Sequence, residues 1–555
     1  MTVAGQTLLS VVGQEMRDVP SIIIIGAGPS GIVMAHHLKW ELGFHDFTIY
    51  EKSDQIGGTW VTNKYQGCGA DVPTHLYSFS FNPNPYWSRK FCDHAEILDY
   101  VNTTVEKFNL RPHIHASIEM IRAIWLEDKN TWHIQLKDLK TGIQFVRFCT
   151  ILISAMGGIS LSTDFNFQDL KKFKGRTIYT TPWPEEWRGY ERKAFENKRV
   201  AIIDNGFNTA KLVSSVSHSA RVVKRYTRSL HAGSQTHNKK IGTFTQSLYR
   251  WLPLYLRLHR LELFLENDNL VEHYSSDTHI MNRTSKLEEI SSPMDKQKAI
   301  SQTIKEFTET GIIGTNDEES EFDIIILATK LSENQSSAWG IIFGARENVS
   351  LEQYWKETRG PQAYWGSLVA GFPNFGILFG PNTFPARNSP LFTSEVSMSY
   401  ISRVLISPIL DNRGIRVEVR QAIEDQYNAN LQARLQSSIS KAKCSHFYIN
   451  EHGKNVTSWP GLASTFWWET VLFGSRGIDY KGGGSGWWVN MLVRWAKAVK
   501  LRSWSLVIIA LVLLRGKRVQ SRVENARREV ERYVPFEKQI IDVARQVVKQ
   551  EIGKG

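Results

Sequence analysis

One stretch near the amino terminus constrains the fold of this chain more than any other. Four isoleucines in sequence, Ile22–Ile25, are typical of a buried strand, and the glycine-rich loop Gly26–Gly31 follows at once. Apolar residues at helical spacing then run through Ile32–Leu38, and a second strand pattern, Phe47–Tyr50, ends on Glu51. Strand, glycine loop, helix, second strand and terminal acid are the successive parts of a dinucleotide-binding βαβ unit. We therefore predict such a unit here.

The glycines of this loop match the three tasks that a dinucleotide imposes on its binding turn. Gly26 allows the tight turn, Gly28 lets the backbone approach the diphosphate, and Gly31 lets helix and strand pack closely. The N–H groups that begin the helix attract phosphate, and Glu51 is placed to accept hydrogen bonds from the adenosine ribose. A glycine motif alone also occurs in ordinary loops, but the agreement of all five parts favours the nucleotide.

Motifs further along the chain resemble one family of flavoenzymes. The run Gly57-Gly58-Thr59-Trp60 follows the acid, and a D-V-P motif and a tyrosine, Tyr77, follow within Asp71–Phe79. G-F-P-N and G-P-N motifs begin at Gly371 and Gly380. Together they resemble the FAD-dependent Baeyer–Villiger monooxygenases, in particular their fungal hydroxyacetophenone-type relatives. The resemblance runs from about residue 22 to residue 461.

The resemblance implies an α/β fold. It has two Rossmann-like dinucleotide-binding layers of the three-layer ββα flavoprotein type, followed by a helical C-terminal extension. It also implies that FAD is bound and that no metal takes part. The residues expected to bind FAD are Gly26, Gly28, Gly31, Glu51, Thr59, Trp60, Asp71, Tyr77, Met120 and Asn382. Asp71 and Tyr77 are in addition the expected catalytic residues.

Five segments follow from the same resemblance and from composition. They are a loose N-terminal extension (1–20), the first part of an FAD domain (21–160), a degenerate NADPH-type domain (161–330), the second part of the FAD domain with a substrate-side segment (331–480), and a basic helical tail (481–555). The tail begins with the glycine-rich linker Gly482–Gly486.

The second nucleotide layer departs from the family pattern in three places. The family fingerprint F-x-G-x-x-x-H-T-x-x-W-P is kept from Phe173 to Pro184, except that Tyr179 replaces the histidine. The loop expected to hold NADPH reads Asp204–Thr209 and keeps only its middle glycine, and Lys330 replaces the glycine of a later turn. A carboxylate about 4 Å from a phosphate charge near a protein surface costs roughly 4 kcal/mol. We predict that ordinary NADPH binding is lost, so that NADPH as a cofactor is uncertain.

The arginine that the family uses beside the flavin has no certain counterpart. The chain between Arg228 and residue 269 looks too short for the helical excursion of the family. The run Asp268–Val271 resembles a strand of the NADPH domain, and counting back from it gives Leu254 at the arginine position. Arg257 or Arg260 would substitute if a gap shifts the register.

Composition and charge limit the partners and the compartment. The four cysteines form no C-x-x-C pair, which indicates a reducing, cytoplasmic compartment. Most of the formal charge of +12 belongs to the tail, because residues 486–555 hold fifteen Lys and Arg against six Asp and Glu. A main body close to neutral does not indicate a nucleic-acid partner, and the expected partner is a hydrophobic small molecule. Nothing in the sequence fixes the oligomeric state.

The tail contains one uncharged stretch, Ser503–Leu514, bounded by arginines. A helix of this length spans about 18 Å, short of the roughly 30 Å hydrocarbon core of a bilayer. Two interpretations stay open. Residues 487–518 either anchor the protein in one leaflet of an intracellular membrane or form a helix that docks on the protein itself.

Three hypotheses about function follow. The first is the activity of the family: FAD, reduced by NADPH, uses oxygen to insert an atom beside a carbonyl of a hydrophobic small molecule in secondary metabolism. The second is a redox-neutral cyclase or isomerase derived from that family, in which Asp71, Tyr77 or His75 performs acid–base chemistry and the NADPH site is lost. The third is a non-catalytic flavoprotein scaffold on a membrane.

Overall fold

The computed structural model describes most of the chain before residue 483. The described residues are 20–65, 67–157, 168–180, 183–187, 191–204, 209–227, 238–276, 299–300, 304–314, 317–328, 339–346, 349–385, 388–411, 416–439 and 449–482. The N-terminal extension, the loop 205–208, Lys330 and the whole basic tail lie outside them. The chain divides into two compact units, Met1–Gly484 and Ser485–Gly555, and only the first contains described residues.

Strands and helices alternate through the first unit. The strands are β1 (Ile22–Ile25), β2 (Phe47–Glu51), β3 (Ile114–Ala116), β4 (Ile118–Leu126), β5 (Thr131–Asp138), β6 (Gln144–Cys149), β7 (Ile151–Ser154), β8 (Arg176–Tyr179), β9 (Arg199–Asp204), β10 (Val222–Thr227), β11 (Ala299–Ile300), β12 (Ile304–Phe307), β13 (Gly311–Gly314), β14 (Glu319–Glu321), β15 (Ile324–Ala328), β16 (Ile342–Phe343), β17 (Phe375–Ile377), β18 (Arg416–Val419) and β19 (Ile478–Lys481). The first seven helices are α1 (Pro29–His36), α2 (Thr59–Thr62), α3 (His94–Lys107), α4 (Glu191–Phe195), α5 (Thr209–Ser217), α6 (Thr243–Trp251) and α7 (Pro253–Ser276). Later helices are Leu351–Glu357, Pro390–Ile401, Ser407–Asp411, Gln421–Ile439 and Ala463–Phe473, with π-helical turns at His37–Glu41 and Ser402–Ile406 and short 3₁₀ turns at Thr74–Tyr77, Arg111–His113, Gln168–Lys172 and Glu185–Trp187.

The first sheet is parallel, with the strand order β17-β7-β1-β2-β3. Its central strand β1 is the predicted isoleucine run, and all four side chains are buried because apolar residues cover both faces of the sheet. Helix α1 follows at the predicted place and is packed against Pro390–Ile401. The predicted βαβ unit is confirmed.

A second parallel sheet repeats this arrangement, with the order β11-β10-β9-β15-β8. Strand β9 lies between β10 and β15 as β1 lies between β2 and β7, which confirms two Rossmann-like layers in one α/β chain. The carboxyl end of β9 is Asp204, whose backbone pairs with Thr227 and Ala328. The glycine-poor loop therefore follows the central strand of its sheet.

Smaller antiparallel sheets flank the two layers. Strands β4, β5 and β6 form two successive antiparallel hairpins, and β16 extends this sheet in parallel to β4. Three strands, β12-β13-β14, follow α7, and β18 pairs with β19.

The structure corrects one prediction about the segment that precedes β11. Residues 268–271 belong to helix α7, not to a strand, and the two helices α6 and α7 fill the segment that looked too short for a helical excursion. Leucines at 254, 258, 261 and 265 have helical spacing, and this periodicity outweighs the short strand-like run. Within α7 the buried Asp268 accepts hydrogen bonds from the backbone N–H groups of Ala463 and Ser464, both at 3.1 Å. The count back from 268 to Leu254 therefore loses its basis.

None of the helices in the described ranges is long and apolar enough to cross a membrane. The predicted membrane segment 487–518 lies outside those ranges.

Candidate flavin and substrate site

The glycine loop closes tightly at the end of β1. Gly26 has φ +109°, and its N–H donates to the carbonyl of Tyr50 at 2.8 Å. A Cβ on Gly26 would lie 2.4 Å from the carbonyl oxygen of Ala155, and a Cβ on Gly31 would lie 2.1 Å from the carbonyl oxygen of Gly26. Neither position has room for a side chain, so the tight turn and the close helix–strand contact both require glycine.

A second glycine turn lies directly against the first. Gly58 has φ +56°, and a Cβ there would lie 2.9 Å from the Cα of Gly28. The N–H of Gly57 also donates to the carbonyl of Ala27 at 3.2 Å. Gly28 is the N-cap residue of α1, and no side-chain hydrogen bond caps this end of the helix. The two turns therefore present bare backbone at a helix N-terminus, the arrangement that a diphosphate needs.

Glu51 lies beside this cradle at the end of β2. Its side chain is buried, and its carboxylate accepts hydrogen bonds from the N–H of Ala27 at 2.7 Å and of Ser53 at 2.8 Å. These bonds fix the carboxylate against the glycine loop. A carboxylate has about four lone-pair positions, so acceptor capacity is left for ribose hydroxyls.

Asp71 and Tyr77 form a hydrogen-bonded pair next to the second glycine turn. The buried Tyr77 hydroxyl donates to Oδ1 of the exposed Asp71 at 2.5 Å. The ring of Trp60, which is buried in α2 beside the exposed Thr59, meets the Tyr77 ring edge-on at 5.4 Å. Burial, and then the Asp71 charge, raise the pKa of Tyr77 well above its ordinary value. Tyr77 is therefore a neutral hydrogen-bond donor across the physiological range, not a base.

Asn382 lies at the same edge of the first sheet as the glycine loop. It follows β17, which is parallel to β7 and so to β1, and the carboxyl ends of parallel strands meet at one edge. The side chain is buried, and its Nδ2 donates to the carbonyls of Asn455 at 2.8 Å and Ser458 at 3.1 Å. Its Oδ1 is buried and has no partner within the described part of the chain.

Among the predicted site residues, Met120 belongs to a different sheet, the one formed by β16, β4, β5 and β6. It is buried in β4, next to a register shift in the pairing with β5. The start of β4 is tied to the segment after Glu51, since the N–H of Ser117 donates to the carbonyl of Ser53 at 2.9 Å. Within the described part of the chain, no hydrogen bond connects Met120 or Asn382 to the glycine loop.

These residues fit a bound flavin dinucleotide. Gly28 and Gly58 leave the cradle free of side chains, and Glu51 is fixed beside it. Asn382 offers, at the same sheet edge, a buried amide oxygen that no described residue pairs with. A buried acceptor without a partner costs about 1–3 kcal/mol. A ligand N–H would remove that cost.

Of the three candidates near the family's arginine position, only Arg260 points into the protein. Leu254 and Arg257 are exposed. The Arg260 guanidinium donates to the carbonyls of Ser78 at 2.6 Å and Phe79 at 3.4 Å, directly after Tyr77. Its Nε is buried and unpartnered among the described residues. Burial lowers the pKa of Arg260, and Glu395 opposes this shift.

His75 lies on the other side of the same 3₁₀ turn, under α6 and α7. It is buried, and the rings of Tyr249 and His259 meet it edge-on at 5.1 and 5.2 Å. Burial, with the nearby His259 and Arg260 charges, lowers the pKa of His75 to about 3. His75 is therefore neutral near pH 7 and is not a general acid there.

Four residues around this turn were missed by sequence reasoning: Tyr249, His259, Glu395 and Tyr100. Glu395 accepts from the N–H of Ser80 at 2.7 Å, and the Tyr100 hydroxyl accepts from the N–H of Phe79 at 2.8 Å. Tyr249 and His259 belong to α6 and α7, in the segment that looked too short for the helical excursion of the family, and the leucine periodicity of α7 was the signal that could have indicated them.

The family fingerprint takes part in packing. The Phe173 ring lies over Gly175, where a Cβ would meet it at 2.3 Å. The ring of Trp183 lies 5.8 Å from that of Trp187 and 6.4 Å from that of Tyr65. Tyr65 belongs to the chain that follows α2, so Trp183 joins core residues of both nucleotide layers.

The fold and the site together define a class: flavoproteins with two dinucleotide-binding layers. Residues 24–95 match the family model of the NAD(P)-binding Rossmann-like domain. The closed structure of cyclohexanone monooxygenase is similar to this chain with a TM-score of 0.67 and 21% identity, over 83% of this chain and 99% of that one. OTEMO in complex with FAD and NADP gives a TM-score of 0.68 and 20% identity, over 83% and 99%.

Within that class the chain belongs to the Baeyer–Villiger monooxygenase family. It is 30% identical to the Baeyer–Villiger monooxygenase of Pseudomonas aeruginosa over 482 residues, which are 80% of this chain and 88% of the relative. The FAD-binding monooxygenase ktnD of Aspergillus niger is 27% identical, over 84% of this chain and 82% of its own length. These names give no support to the redox-neutral cyclase or isomerase.

Proposed function

We propose that this protein is an FAD-dependent Baeyer–Villiger monooxygenase that inserts oxygen beside a carbonyl of a hydrophobic small molecule. The observation that carries the proposal is the contact between the Gly28 and Gly58 turns, with the Glu51 carboxylate fixed beside them. Family membership supports the activity. A role in small-molecule biosynthesis stays a prediction.

FAD would be held by the residues of three elements. Gly26, Gly28 and Gly58 would admit the diphosphate, and Glu51 would bind the ribose. Asn382 would pair with the flavin through its Oδ1, which has no partner among the described residues. Thr59 and Met120 remain proposed FAD contacts, because no feature of either residue in this structure points to a ligand. Bound FAD supplies the redox and oxygen-activating chemistry of the reaction.

Asp71, Tyr77 and Arg260 would prepare the substrate side of the site. Tyr77 stays protonated and can donate one hydrogen bond, and Asp71 accepts it and keeps the ring in place. Arg260 brings a buried positive charge to the carbonyls just after Tyr77. A cation in a water-poor site stabilises negative charge that develops during a reaction. We infer that Arg260, rather than Arg257, takes the place of the family's arginine.

The reductant is the part of the reaction that this sequence makes doubtful. Asp204 ends the central strand of the second sheet, and an acid at this position opposes a bound diphosphate. The loop 205–208 lies outside the described residues, so loss of NADPH binding stays a prediction. A cytoplasmic location, with attachment to a membrane through 487–518, is likewise a prediction.

Anaerobic reduction tests the proposal directly. The purified full-length protein should carry the visible absorbance of oxidised FAD, and a chemical reductant should bleach it. Admission of air with a panel of cyclic and aryl ketones should yield ester or lactone products. A colourless protein that cannot be reconstituted with FAD contradicts the proposal. NADPH in place of the chemical reductant then measures how much of the second site survives.

A further inference from the structure

The tip of the helical hairpin α6–α7 exposes an unusual amount of apolar surface. Here the hairpin tip means residues 244–255, which include the turn at Leu252 and Pro253. Five of its large apolar side chains are exposed: Phe244 (80%), Trp251 (75%), Leu252 (53%), Leu254 (55%) and Tyr255 (46%). No other stretch of this length in the described ranges exposes as many. Monomeric soluble proteins rarely expose contiguous apolar patches of this kind without a partner.

The exposed side chains lie on the outer faces of the two helices. Phe244 and Trp251 are seven residues apart on α6, and Leu254 and Leu265 are eleven apart on α7, so each pair shares one helix face. The opposite faces hold Tyr249 and Leu256, which are buried. The hairpin therefore has one face bound to its own protein and a second apolar face that no described residue covers.

The charge around the tip has one sign. From residue 238 to residue 261 the chain has five Lys and Arg and no Asp or Glu. Lys239, Lys240, Arg250 and Arg257 are exposed, and the Arg250 guanidinium lies 5.5 Å from the centre of the Trp251 ring. Apolar and aromatic side chains framed by basic ones are the composition of a surface that binds anionic lipid.

We propose that the hairpin tip docks on an anionic phospholipid surface. The leucines and Phe244 would enter the acyl boundary, Trp251 and Tyr255 would lie among the headgroups, and the basic residues would meet lipid phosphates. The exposed side chains straddle a helix–helix turn. A bilayer accommodates a protruding tip, whereas an acidic protein partner would need a matching cavity, so the lipid surface is the better fit.

Docking at this place would bring the candidate site close to the membrane. The inner face of the hairpin contacts the Thr74–Tyr77 turn, since the rings of Tyr249 and His259 pack on His75 and Arg260 reaches Ser78. A hydrophobic substrate dissolved in the bilayer would then arrive next to that turn. This delivery step rests on the proposed function, but the docking itself does not.

A fluorescent probe at the tip tests docking without any turnover. Trp251→Cys, in the full-length protein with Cys444→Ser, is labelled with an environment-sensitive nitrobenzoxadiazole dye; Cys68, Cys92 and Cys149 are buried. Vesicles of phosphatidylcholine with about one third phosphatidylserine should shift the emission to the blue and raise it several-fold. The same dye at Ile143→Cys, an exposed position in another hairpin, should not respond.

Three outcomes would overturn the proposal. The first is that the labelled protein floats with the vesicles while the emission of the probe at residue 251 does not change, which would assign vesicle binding to the C-terminal tail. The second is that soluble polyglutamate changes the emission of the probe and the vesicles do not, which would indicate that the hairpin tip binds an acidic protein. The third is that the double variant Arg250→Gln, Arg257→Gln keeps the wild-type affinity for vesicles. We expect roughly tenfold weaker binding.

Discussion

A Cβ atom on Gly58 would lie 2.9 Å from the Cα of Gly28, so the two turns of the proposed diphosphate cradle touch through backbone alone. One follows β1 and the other precedes α2. A Cβ on Gly28 would lie 3.5 Å from the Cα of Gly58, an ordinary contact, whereas Gly58 has both a positive φ and the 2.9 Å clash. The close contact of the two turns therefore depends on glycine at Gly58.

Gly58→Ala should weaken FAD binding. The methyl group would press on Gly28, and an alanine at φ +56° adds strain of about 1–3 kcal/mol. We expect the Kd for FAD to rise at least about tenfold, measured by titration of the apoprotein with FAD fluorescence. Gly142→Ala is the matched control, because φ is +75° there and no atom lies within 4 Å of a Cβ. Equal loss in both variants would refute a specific cradle.

Tyr77→Phe should keep the fold and the flavin but slow oxygenation. The ring still packs on Trp60, and the exposed Asp71 regains water as a partner, so the melting temperature should change little. The hydroxyl of Tyr77 donates its only proton to Asp71, so its loss releases the Asp71 carboxylate from its position, and we expect this to cost roughly tenfold or more in rate. Because the pKa of Tyr77 is raised, we also expect that ionisation of this hydroxyl causes no fall in the wild-type rate at any pH below the ordinary pKa of tyrosine. A Tyr77→Phe enzyme with the full turnover rate would contradict this role.

Arg260→Met should separate oxygen consumption from product formation. Loss of the buried cation removes the charge next to Ser78 and leaves that carbonyl without its 2.6 Å donor. We expect the product formed per oxygen consumed to fall at least about tenfold, while reduction of the flavin by a chemical reductant keeps its rate. Arg257→Met, at the exposed position three residues earlier, is the control and should keep the ratio. Equal ratios in the two variants would exclude Arg260 as the counterpart of the family's arginine.

The nucleotide layers could be predicted from sequence because their signals are local. An isoleucine run, a glycine loop and an acid determine β1, its turn and β2, whatever the rest of the chain does. The same holds for β9 and β15, which are short apolar runs. How the chain divides into domains beyond these sheets stays a prediction.

The helical hairpin was predicted wrongly because a short family-like run outweighed a longer periodicity. The residues Asp268–Val271 resemble a strand, but α7 spans Pro253–Ser276. The contact from Arg260 to Ser78 joins residues far apart in sequence, and nothing in either local pattern indicates it. Such contacts depend on how helices pack over a turn, which one sequence does not determine.

Glu424 should make stability depend on pH. This carboxyl is fully buried, and it accepts from the N–H of Ala370 at 2.6 Å and from the Tyr354 hydroxyl at 3.3 Å. Burial raises its pKa to about 8, above the value near 4.5 in an unfolded chain. Its contribution to stability is therefore full below pH 4.5 and is lost as the pH rises through 8.

The contribution of Lys454 to stability depends on pH in the opposite direction and at higher pH. Burial lowers its pKa from 10.5 to about 8, so its contribution is present above 10.5 and lost as the pH falls through 8.

Glu424→Gln should raise the melting temperature at pH 8 relative to the wild type and should flatten the decline between pH 5 and 8. Glu451→Gln, on the surface, should do neither. A wild-type melting temperature that rises between pH 5 and 8 in step with the variant's would contradict the assignment.

Asp204→Gly should strengthen NADPH binding without changing FAD binding. Asp204 ends β9 between Thr227 and Ala328, the place in the second sheet where the first sheet has its glycine turn. Removing a like charge about 4 Å from a phosphate would gain up to roughly 4 kcal/mol, or about a thousandfold in affinity. Anaerobic bleaching of the flavin at rising NADPH concentration measures the change, and Asp317→Gly, an exposed acid in the turn of another hairpin, should leave it unaltered. FAD titration should give the wild-type Kd because FAD belongs to the other layer. If Asp204→Gly loses FAD, the two nucleotide loops have been assigned to the wrong cofactors; if the wild type is already reduced by micromolar NADPH, the carboxylate does not obstruct that site.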